Sequence, residues 1–515
     1  MLNGNLQFFM KNKHWILAGL ILLKFVLQYF TIHPVYELHR DEFLHLDLGK
    51  HLAWGFTSVP PVTGIISYII LVLGNSVFWV KFFPALFGAL TLVVVWKTVD
   101  ELKGGIFALL LASVSVLFSV FVRINMLYQP NSLDFLCWTL LFYTLLKYFN
   151  TRKNQWLYIT SAVFALGFLN KYNIGFLLLG LAPALLLSRQ RVIFKNKHLW
   201  LATLLALLLV LPNIIWQFRN GLPVVHHMQT LATTQLVNVK RSNFLTEQLY
   251  FFPGALAVIV LAFVSLFTFR PHKKYIVYFF AFVFTMIIFT ALRAKAYYAI
   301  GLYPVFIAFG SVYFEKLLSR GRAKYLRIPV VLFPVLIFIP VSQIMLPIFS
   351  PPQILKKKEL FDKFGATRWE DGKIHNLPQD YADMLGWKEL AHLVDSAFTL
   401  VDKKGQTIVQ CDNYGQAGAI NYYSEQNANS AFSMNADYID WYPLDKFEIV
   451  NVILVQEKND DDPARKRERE FFEEVLSIGK ITNPNARETG TSVYLLRGAK
   501  VSVNHILREE INNRR

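Results

Sequence analysis

The stretch VFWVKFFPALFGALTLVVVW, from Val77 to Trp96, decides the fold, because twenty residues carrying a single charge match the length of a helix that crosses a bilayer. Similar apolar runs recur from Trp15 to Phe349, and we count about eleven of them. Hydrophobic residues make up 54% of the 515-residue chain, against about 45–50% in soluble domains. The sequence therefore predicts a polytopic α-helical membrane protein.

Lysine and arginine are concentrated in alternate loops, from Lys97 and Lys103 to the group between Lys316 and Arg327. Cytoplasmic loops carry this excess, so the basic N-terminus is expected to be cytoplasmic. The net charge of +17 then follows membrane topology, and no nucleic-acid partner is expected. An odd number of spans places the C-terminal region on the outer, periplasmic or extracytoplasmic side. We expect a multi-pass protein of the cell (inner) membrane.

The composition changes after Ser350-Pro351-Pro352, which divides the chain into a transmembrane domain (1–350) and an outer domain (351–515). The outer domain carries mixed charge and alternates helix-like with strand-like segments, which favours a small soluble α/β domain. The expected elements are a helix at Trp387–Thr399, strands near Thr407–Gln410, Val450–Val455 and Ser492–Leu496, and a charged helix at Asp462–Ser477.

The first outer loop (32–76) is rich in acids and histidines, although it lies between two apolar segments. Two partly amphipathic interfacial helices are expected in it, at His45–Trp54 and Pro61–Leu73. Charge beside a membrane span is costly unless it faces water or a substrate, which makes Asp41 and Glu42 candidate acid–base residues. The alternatives are a solvated pair of loop charges, or a divalent metal held by Asp41 and Glu42.

Basic residues remain on the outer side, where the positive-inside rule should deplete them. Lysine and arginine at the ends of spans clamp phosphate groups well, although such side chains also reach the interface for purely structural reasons. The candidates for binding a phosphate group are Lys171, Arg293, Lys295, Arg123 and Lys81. Tyr297 and Tyr298 are candidates for stacking on a sugar, or members of an aromatic belt. No Gly-rich nucleotide-phosphate loop is present in the sequence.

Several short motifs together resemble glycosyltransferase family 39 of the GT-C superfamily, which is related to protein O-mannosyltransferases and lipid A aminoarabinose transferases. The motifs are Arg40-Asp41-Glu42 with His51-Leu-Ala-Trp54-Gly55 and Pro60-Pro61, Asn125-Met-Leu-Tyr-Gln-Pro130, Asn170-Lys171-Tyr172, Lys295-Ala-Tyr297-Tyr298 to Pro304, and Asn413-Tyr414-Gly415 to Ile420. Two positions depart from the family. Ser58-Val59 stands where many relatives have an acid before the Pro-Pro pair, and Asn131 replaces an acid, with Asp134 one turn later.

The resemblance implies a GT-C-type membrane enzyme that uses a sugar linked to a polyprenyl phosphate. It assigns the role of base or metal-linked acid to Asp41, with Glu42 beside it, and we expect His45 and Asp134 to contact the sugar or the acceptor. The reaction would be an inverting transfer to an acceptor hydroxyl on the outer face, and the acceptor is a lipid, a glycan or a protein. No cofactor is implied beyond the open question of a divalent metal. The competing class is a transporter or flippase of lipid-linked sugars.

Overall fold

The computed structural model describes residues 13–514, apart from 235–236, 238, 402–405, 427–429, 459–461 and 463. The N-terminal residues 1–12, which are predicted to be cytoplasmic, lie outside the described residues. The chain forms two compact units. The helical unit comprises Met1–Ile32, Val59–Val62 and Phe78–Ile348, and the α/β unit comprises His33–Ser58, Thr63–Val77 and Phe349–Arg515. The first outer loop therefore groups mainly with the C-terminal region, whereas the sequence-based division placed it in the transmembrane domain.

The helical unit consists of apolar helices joined by short turns. Its helices are Lys13–Tyr29, Val77–Glu101, Ile106–Leu117, Phe121–Ile124, Asn131–Thr151, Gln155–Asn170, Ile174–Leu187, Lys197–Arg219, Pro223–Thr234, Arg241–Phe251, Leu256–Thr268, Ile276–Ala291, Tyr303–Leu317 and Arg327–Met345. Short 3-10 helices lie at Arg189–Lys195, Pro253–Ala255, Lys273–Tyr275, Ala296–Leu302 and Gly321–Leu326. Polar caps set some of these boundaries: the Asn196 side chain accepts from the His198 amide at the start of one long helix.

Within the described residues, five helical segments are long and apolar enough to cross a membrane, or up to seven if each sharply bent pair is one span. The bent pairs are Ile174–Leu187 with Arg189–Lys195, at 106°, and Arg241–Phe251 with Pro253–Thr268, at 73°. The prediction of a multi-span helical protein is confirmed. The count of about eleven stays a prediction, because apolar helices such as Ile106–Leu117 are shorter than a full span.

Small residues allow the helices of this unit to approach closely. A Cβ atom on Gly180 would collide with the Thr285 hydroxyl, and one on Gly310 would collide with the Val258 carbonyl. Such contacts are typical of membrane helices, whose association depends on close packing rather than on the hydrophobic effect. In contrast, the helix Arg327–Met345 buries only Pro334 and Phe338, which leaves most of its apolar surface available to lipid.

The α/β unit contains a five-stranded sheet in the order β2-β1-β3-β5-β4. The strands are β1 (Thr407–Cys411), β2 (Ala431–Ser433), β3 (Asn451–Gln456), β4 (Phe472–Lys480) and β5 (Ser492–Ala499). β1 pairs in parallel with β2 and β3, whereas β5 is antiparallel to β3 and β4. Its helices are Arg40–Leu48, Pro61–Val72, Pro351–Lys356, Lys358–Lys363, Gln379–Ala382, Trp387–Thr399, Tyr414–Tyr423, Lys466–Phe471 and Val503–Arg514.

Two helix predictions in this unit are wrong. The charged helix expected at Asp462–Ser477 is a short helix that ends at Phe471 and is followed by β4, in which Phe472 and Val475 turn to the core. The helix expected at His45–Trp54 instead spans Arg40–Leu48, because His39 caps its start. It ends at Gly49, where a Cβ atom would lie 2.6 Å from the backbone of Ser67.

Candidate active site

The helix Arg40–Leu48, which we call the acid helix, carries the candidate base in the α/β unit. His39 caps it: its Nδ1 accepts from the amide of Asp41, and its own amide donates to the Glu42 carboxylate at 2.8 Å. A reciprocal cap of this kind satisfies two backbone donors that a helix start otherwise leaves unpaired. The sequence therefore begins the helix just before Asp41, which places that carboxylate in its first turn.

Asp41 is held by an aromatic residue from the C-terminal part of the chain. The Tyr414 hydroxyl donates to Asp41 Oδ1 at 2.7 Å, and the Arg40 guanidinium lies over the Tyr414 ring at 4.5 Å. His39 Nδ1 lies 3.9 Å from Asp41 Oδ2. One third of the Asp41 side chain, 33%, stays exposed. The carboxylate is thus oriented on one side and reachable by a small molecule on another.

The charge state of Asp41 follows from this environment. Burial alone would raise the pKa of the carboxyl, but the neighbouring His39, Arg40 and His45 side chains and the Tyr414 hydrogen bond together bring the pKa below its usual value. Asp41 is therefore ionised at neutral pH. An ionised, oriented and partly exposed carboxylate is the form that accepts a proton.

Glu42 and His45 have contacts within the acid helix. Glu42 is fully buried and its carboxylate takes part in the helix cap, which favours a structural role over the predicted catalytic one. His45 is 7% exposed, and its Nδ1 lies 2.5 Å from the Asp41 carbonyl oxygen, as expected for residues four apart on one helix. Burial lowers the pKa of His45, so it is neutral at pH 7 and supplies no charge to a ligand.

Aromatic hydroxyl groups from the C-terminal part of the chain also anchor the far end of the acid helix. The carboxylate of Asp47 accepts from the Tyr438 hydroxyl at 2.6 Å and from the Asn421 amide at 3.0 Å. The Lys50 ammonium lies 2.7 Å from the other oxygen of the Asp47 carboxylate. Neither Tyr414 nor Tyr438 was predicted to be a site residue. Only the Asn413-Tyr414-Gly415 motif signalled this region in the sequence.

The predicted metal site finds little support in the donor set. Among the described residues, no group of three His, Cys, Asp or Glu side chains is arranged to hold a metal ion. Of the two proposed ligands, Glu42 already caps the acid helix. Asp41 alone does not supply enough oxygen ligands for a divalent metal ion. The proposed reaction therefore uses no metal.

The helical unit contains a second polar cluster, formed around Lys171. The Lys171 ammonium donates to Asn131 Oδ1 at 2.6 Å and lies 5.2 Å and 4.5 Å from the ring centres of Tyr297 and Tyr298. Within the described part of the chain, no carboxylate lies within ion-pair distance of this ammonium. The structure thus brings together one predicted phosphate ligand and both predicted sugar-stacking tyrosines.

The other candidate cations of this unit have different surroundings. Arg123 donates through Nη1 to the Met345 carbonyl oxygen at 2.9 Å. Arg293 is exposed and adopts a left-handed backbone conformation with φ 53°. Lys295 and Lys81 are half-buried, and Lys295 precedes the 3-10 helix that carries the two tyrosines. These four remain predictions as phosphate ligands.

Asp134 occupies a closed position in the helical unit. It is fully buried, and its oxygens accept from the Trp138 indole at 2.9 Å and from the Asn173 amide at 3.0 Å. Asn173 also donates to the Tyr298 carbonyl oxygen at 3.1 Å. Asp134 therefore supports the backbone next to the Lys171 cluster, and its burial favours this role over direct contact with a sugar or an acceptor.

Apolar helices that can cross a membrane, together with an α/β unit, define a polytopic helical membrane protein. The crystal structure of ArnT from Cupriavidus metallidurans bound to undecaprenyl phosphate is similar to this chain with a TM-score of 0.61 and 11% sequence identity, covering 94% of this chain and 98% of ArnT. The apo ArnT structure gives a TM-score of 0.60 with the same identity and coverage. The family model described as dolichyl-phosphate-mannose-protein mannosyltransferase matches residues 58–216. Together these findings confirm the resemblance to the GT-C glycosyltransferases. No curated protein sequence matches the chain significantly.

Proposed function

We propose that this protein is an inverting membrane glycosyltransferase that moves a sugar from a polyprenyl-phosphate-linked donor to an acceptor hydroxyl. The observation that carries the proposal is the ionised, partly exposed Asp41 carboxylate, oriented by Tyr414. The family match and the ArnT-like fold support the same class of reaction. The basic loops of the sequence support a multi-pass protein of the cell membrane with its C-terminal region on the extracytoplasmic side.

The proposed step uses Asp41 as a general base. The acceptor hydroxyl oxygen forms a bond to the anomeric carbon while its proton passes to the Asp41 carboxylate. The bond between the anomeric carbon and the phosphate oxygen breaks, and its electron pair leaves with the polyprenyl phosphate. Attack opposite the leaving group inverts the anomeric centre. Protonation state suits this role, because Asp41 stays ionised at neutral pH.

The departing phosphate gains negative charge, and Lys171 is the cation that we assign to it. Its ammonium has a hydrogen bond to Asn131 and two aromatic rings beside it, and the buried carboxyl of Asp134 acts on it from beyond ion-pair distance. A lysine held in this way is available to an anion, and charge-assisted hydrogen bonds to phosphate are among the strongest in proteins. Tyr297 and Tyr298 would then stack on the sugar or on the first prenyl unit.

The decisive experiment measures release of polyprenyl phosphate by the full-length protein in lipid nanodiscs. A panel of polyprenyl-phosphate sugars serves as donor, and an extract of envelope lipids and glycans serves as acceptor. Asp41→Asn should lower the rate by at least about 100-fold with an unchanged melting temperature. Asp445→Asn is the matched control, because Asp445 is 94% exposed and pairs with Arg508 at the surface. Wild-type rates in Asp41→Asn would exclude Asp41 as the base, and no release from any donor would favour a transporter.

A further inference from the structure

The α/β unit contains a polar cavity of about 270 Å³ that the reaction described above does not use. Its walls come from the acid helix and from the C-terminal part of the chain. The lining residues that matter are Arg40, Asn413, Glu457, Lys458, Arg487 and Glu488, with two threonines beside them. The volume lies just below the usual range for small-molecule pockets, about 300–1,000 Å³, and therefore suits one compact polar group.

Both carboxylates in the wall already have hydrogen-bond donors. Glu488 accepts from the Gln416 amide at 2.7 Å, from the Asn413 amide at 3.2 Å and from the Thr491 hydroxyl at 3.2 Å. Glu457 accepts from the same Asn413 amide at 2.9 Å. Hydrogen bonds from within the protein satisfy both carboxylates, so neither requires a bound cation.

The cations of the wall have fewer direct partners than the carboxylates. Arg487 pairs with Asp383 at 3.1 Å. Arg40 and Lys458, in contrast, have no carboxylate within ion-pair distance among the described residues, although Asp41, Asp383 and Glu488 act on Arg40 from further away. The Arg40 Nε atom is buried without a hydrogen-bond partner among the described residues, and an unsatisfied buried donor is costly. The Lys458 stem packs against Gly490, whose φ of 88° and lack of a Cβ atom leave room for it.

We propose that this cavity binds the carboxylate or phosphate group of an anionic glycan acceptor, with Arg40 and Lys458 as its charged ligands. Arg40 connects the cavity to the base: it precedes Asp41 in the chain and lies over the ring of Tyr414, whose hydroxyl donates to Asp41. An acceptor anchored here by its anionic group would present a neighbouring hydroxyl to that carboxylate. The binding of an oxyanion stands by itself, whereas its assignment to the acceptor rests on the proposed function.

The first test needs no donor sugar. The full-length protein in nanodiscs is titrated with inorganic phosphate, with glucuronate and with neutral glucose at constant ionic strength, and protection against thermal unfolding is followed. Phosphate or glucuronate should protect the wild type, and glucose should not. Lys458→Gln should raise the half-saturating anion concentration at least about fivefold, and Arg40→Gln at least about tenfold. Lys480→Gln is the control, because Lys480 is an exposed lysine of β4 that does not line the cavity.

The anion titration distinguishes the two kinds of ligand. Stronger protection by phosphate identifies a phosphate group, and stronger protection by glucuronate identifies a sugar acid; both support the site. Equal protection of the wild type, Lys458→Gln and Lys480→Gln by either anion would overturn it, and Lys458→Gln keeps this result available even if Arg40→Gln does not fold. Because no donor is present, a failure of the proposed transfer reaction leaves the binding result intact. With transfer established, Lys458→Gln should raise KM for anionic acceptors at unchanged kcat, and an unchanged KM would refute the acceptor assignment.

Discussion

The replacement Tyr414→Phe tests the link between the acid helix and the C-terminal part of the chain. It removes one hydroxyl, whose bond to Asp41 Oδ1 measures 2.7 Å, and keeps the ring under the Arg40 guanidinium. A hydrogen bond to a charged group contributes about 1.5–3 kcal/mol, which corresponds to about 10- to 150-fold in rate if it is lost in the transition state. Because 33% of the Asp41 side chain is exposed, water can replace the hydroxyl, and we expect about a tenfold decrease in kcat.

The pH dependence gives this prediction a second readout. The hydrogen bond favours the ionised carboxylate, so its removal should raise the pKa of Asp41 and move the acidic limb of the kcat profile to higher pH. Tyr422→Phe is the matched control: it lies on the same helix, and its hydroxyl donates to the Asn75 carbonyl oxygen. A kcat within twofold of the wild type and an unshifted acidic limb, with Asp41→Asn inactive, would refute the role of Tyr414 as a positioning residue.

Three further predictions concern binding and stability. Lys171→Gln should raise KM for the lipid-linked donor about tenfold at an unchanged melting temperature, and an unaltered KM would remove Lys171 from the donor site. Gly418→Ala should destabilise the protein by about 1–3 kcal/mol, because its Cβ atom would lie 2.6 Å from both Phe43 Cβ and the Tyr438 hydroxyl; thermal unfolding at or above the wild-type temperature would contradict this. Burial lowers the pKa of His45, so the unfolded chain binds a proton below about pH 6.5 that the folded chain does not. The free energy of unfolding should therefore fall from pH 7 to pH 5, and it should fall less in His45→Gln. The same pH dependence in both proteins would contradict this prediction.

The membrane fold was predictable because its signal is local. A run such as Val77–Trp96 needs no knowledge of the rest of the chain to be recognised as a span. The helix Trp387–Thr399 and the strand at Thr407–Cys411 were likewise close to their predicted bounds. The segment from Asp462 to Ser477 was misread because its charges resemble a helical surface, whereas pairing with β5 makes its last part, from Phe472 onward, a strand. That pairing is a tertiary effect.

The site was predictable only in part, for the same reason. Asp41 stands out within its own loop, and Lys171 lies within a recognisable motif. Tyr414 follows Asp41 by 373 residues, and no periodicity or spacing connects them. Glu42 looked equivalent to Asp41 in the sequence, yet its position in the first turn of a capped helix commits it to a backbone amide. The distinction between the two acids depends on where the helix begins.

The bond between Tyr414 and Asp41 also has a consequence for the order in which the protein is made. The acid helix leaves the ribosome early, and its partner follows 373 residues later. At about 5–20 residues per second, that interval lasts roughly 20–75 seconds. Throughout this time the acid helix lacks the hydroxyl groups of Tyr414 and Tyr438 that hold its two ends. The reactive carboxylate is therefore assembled only after residue 414 has been made, and a chain that stops short of it contains Asp41 without the Tyr414 hydroxyl that orients it.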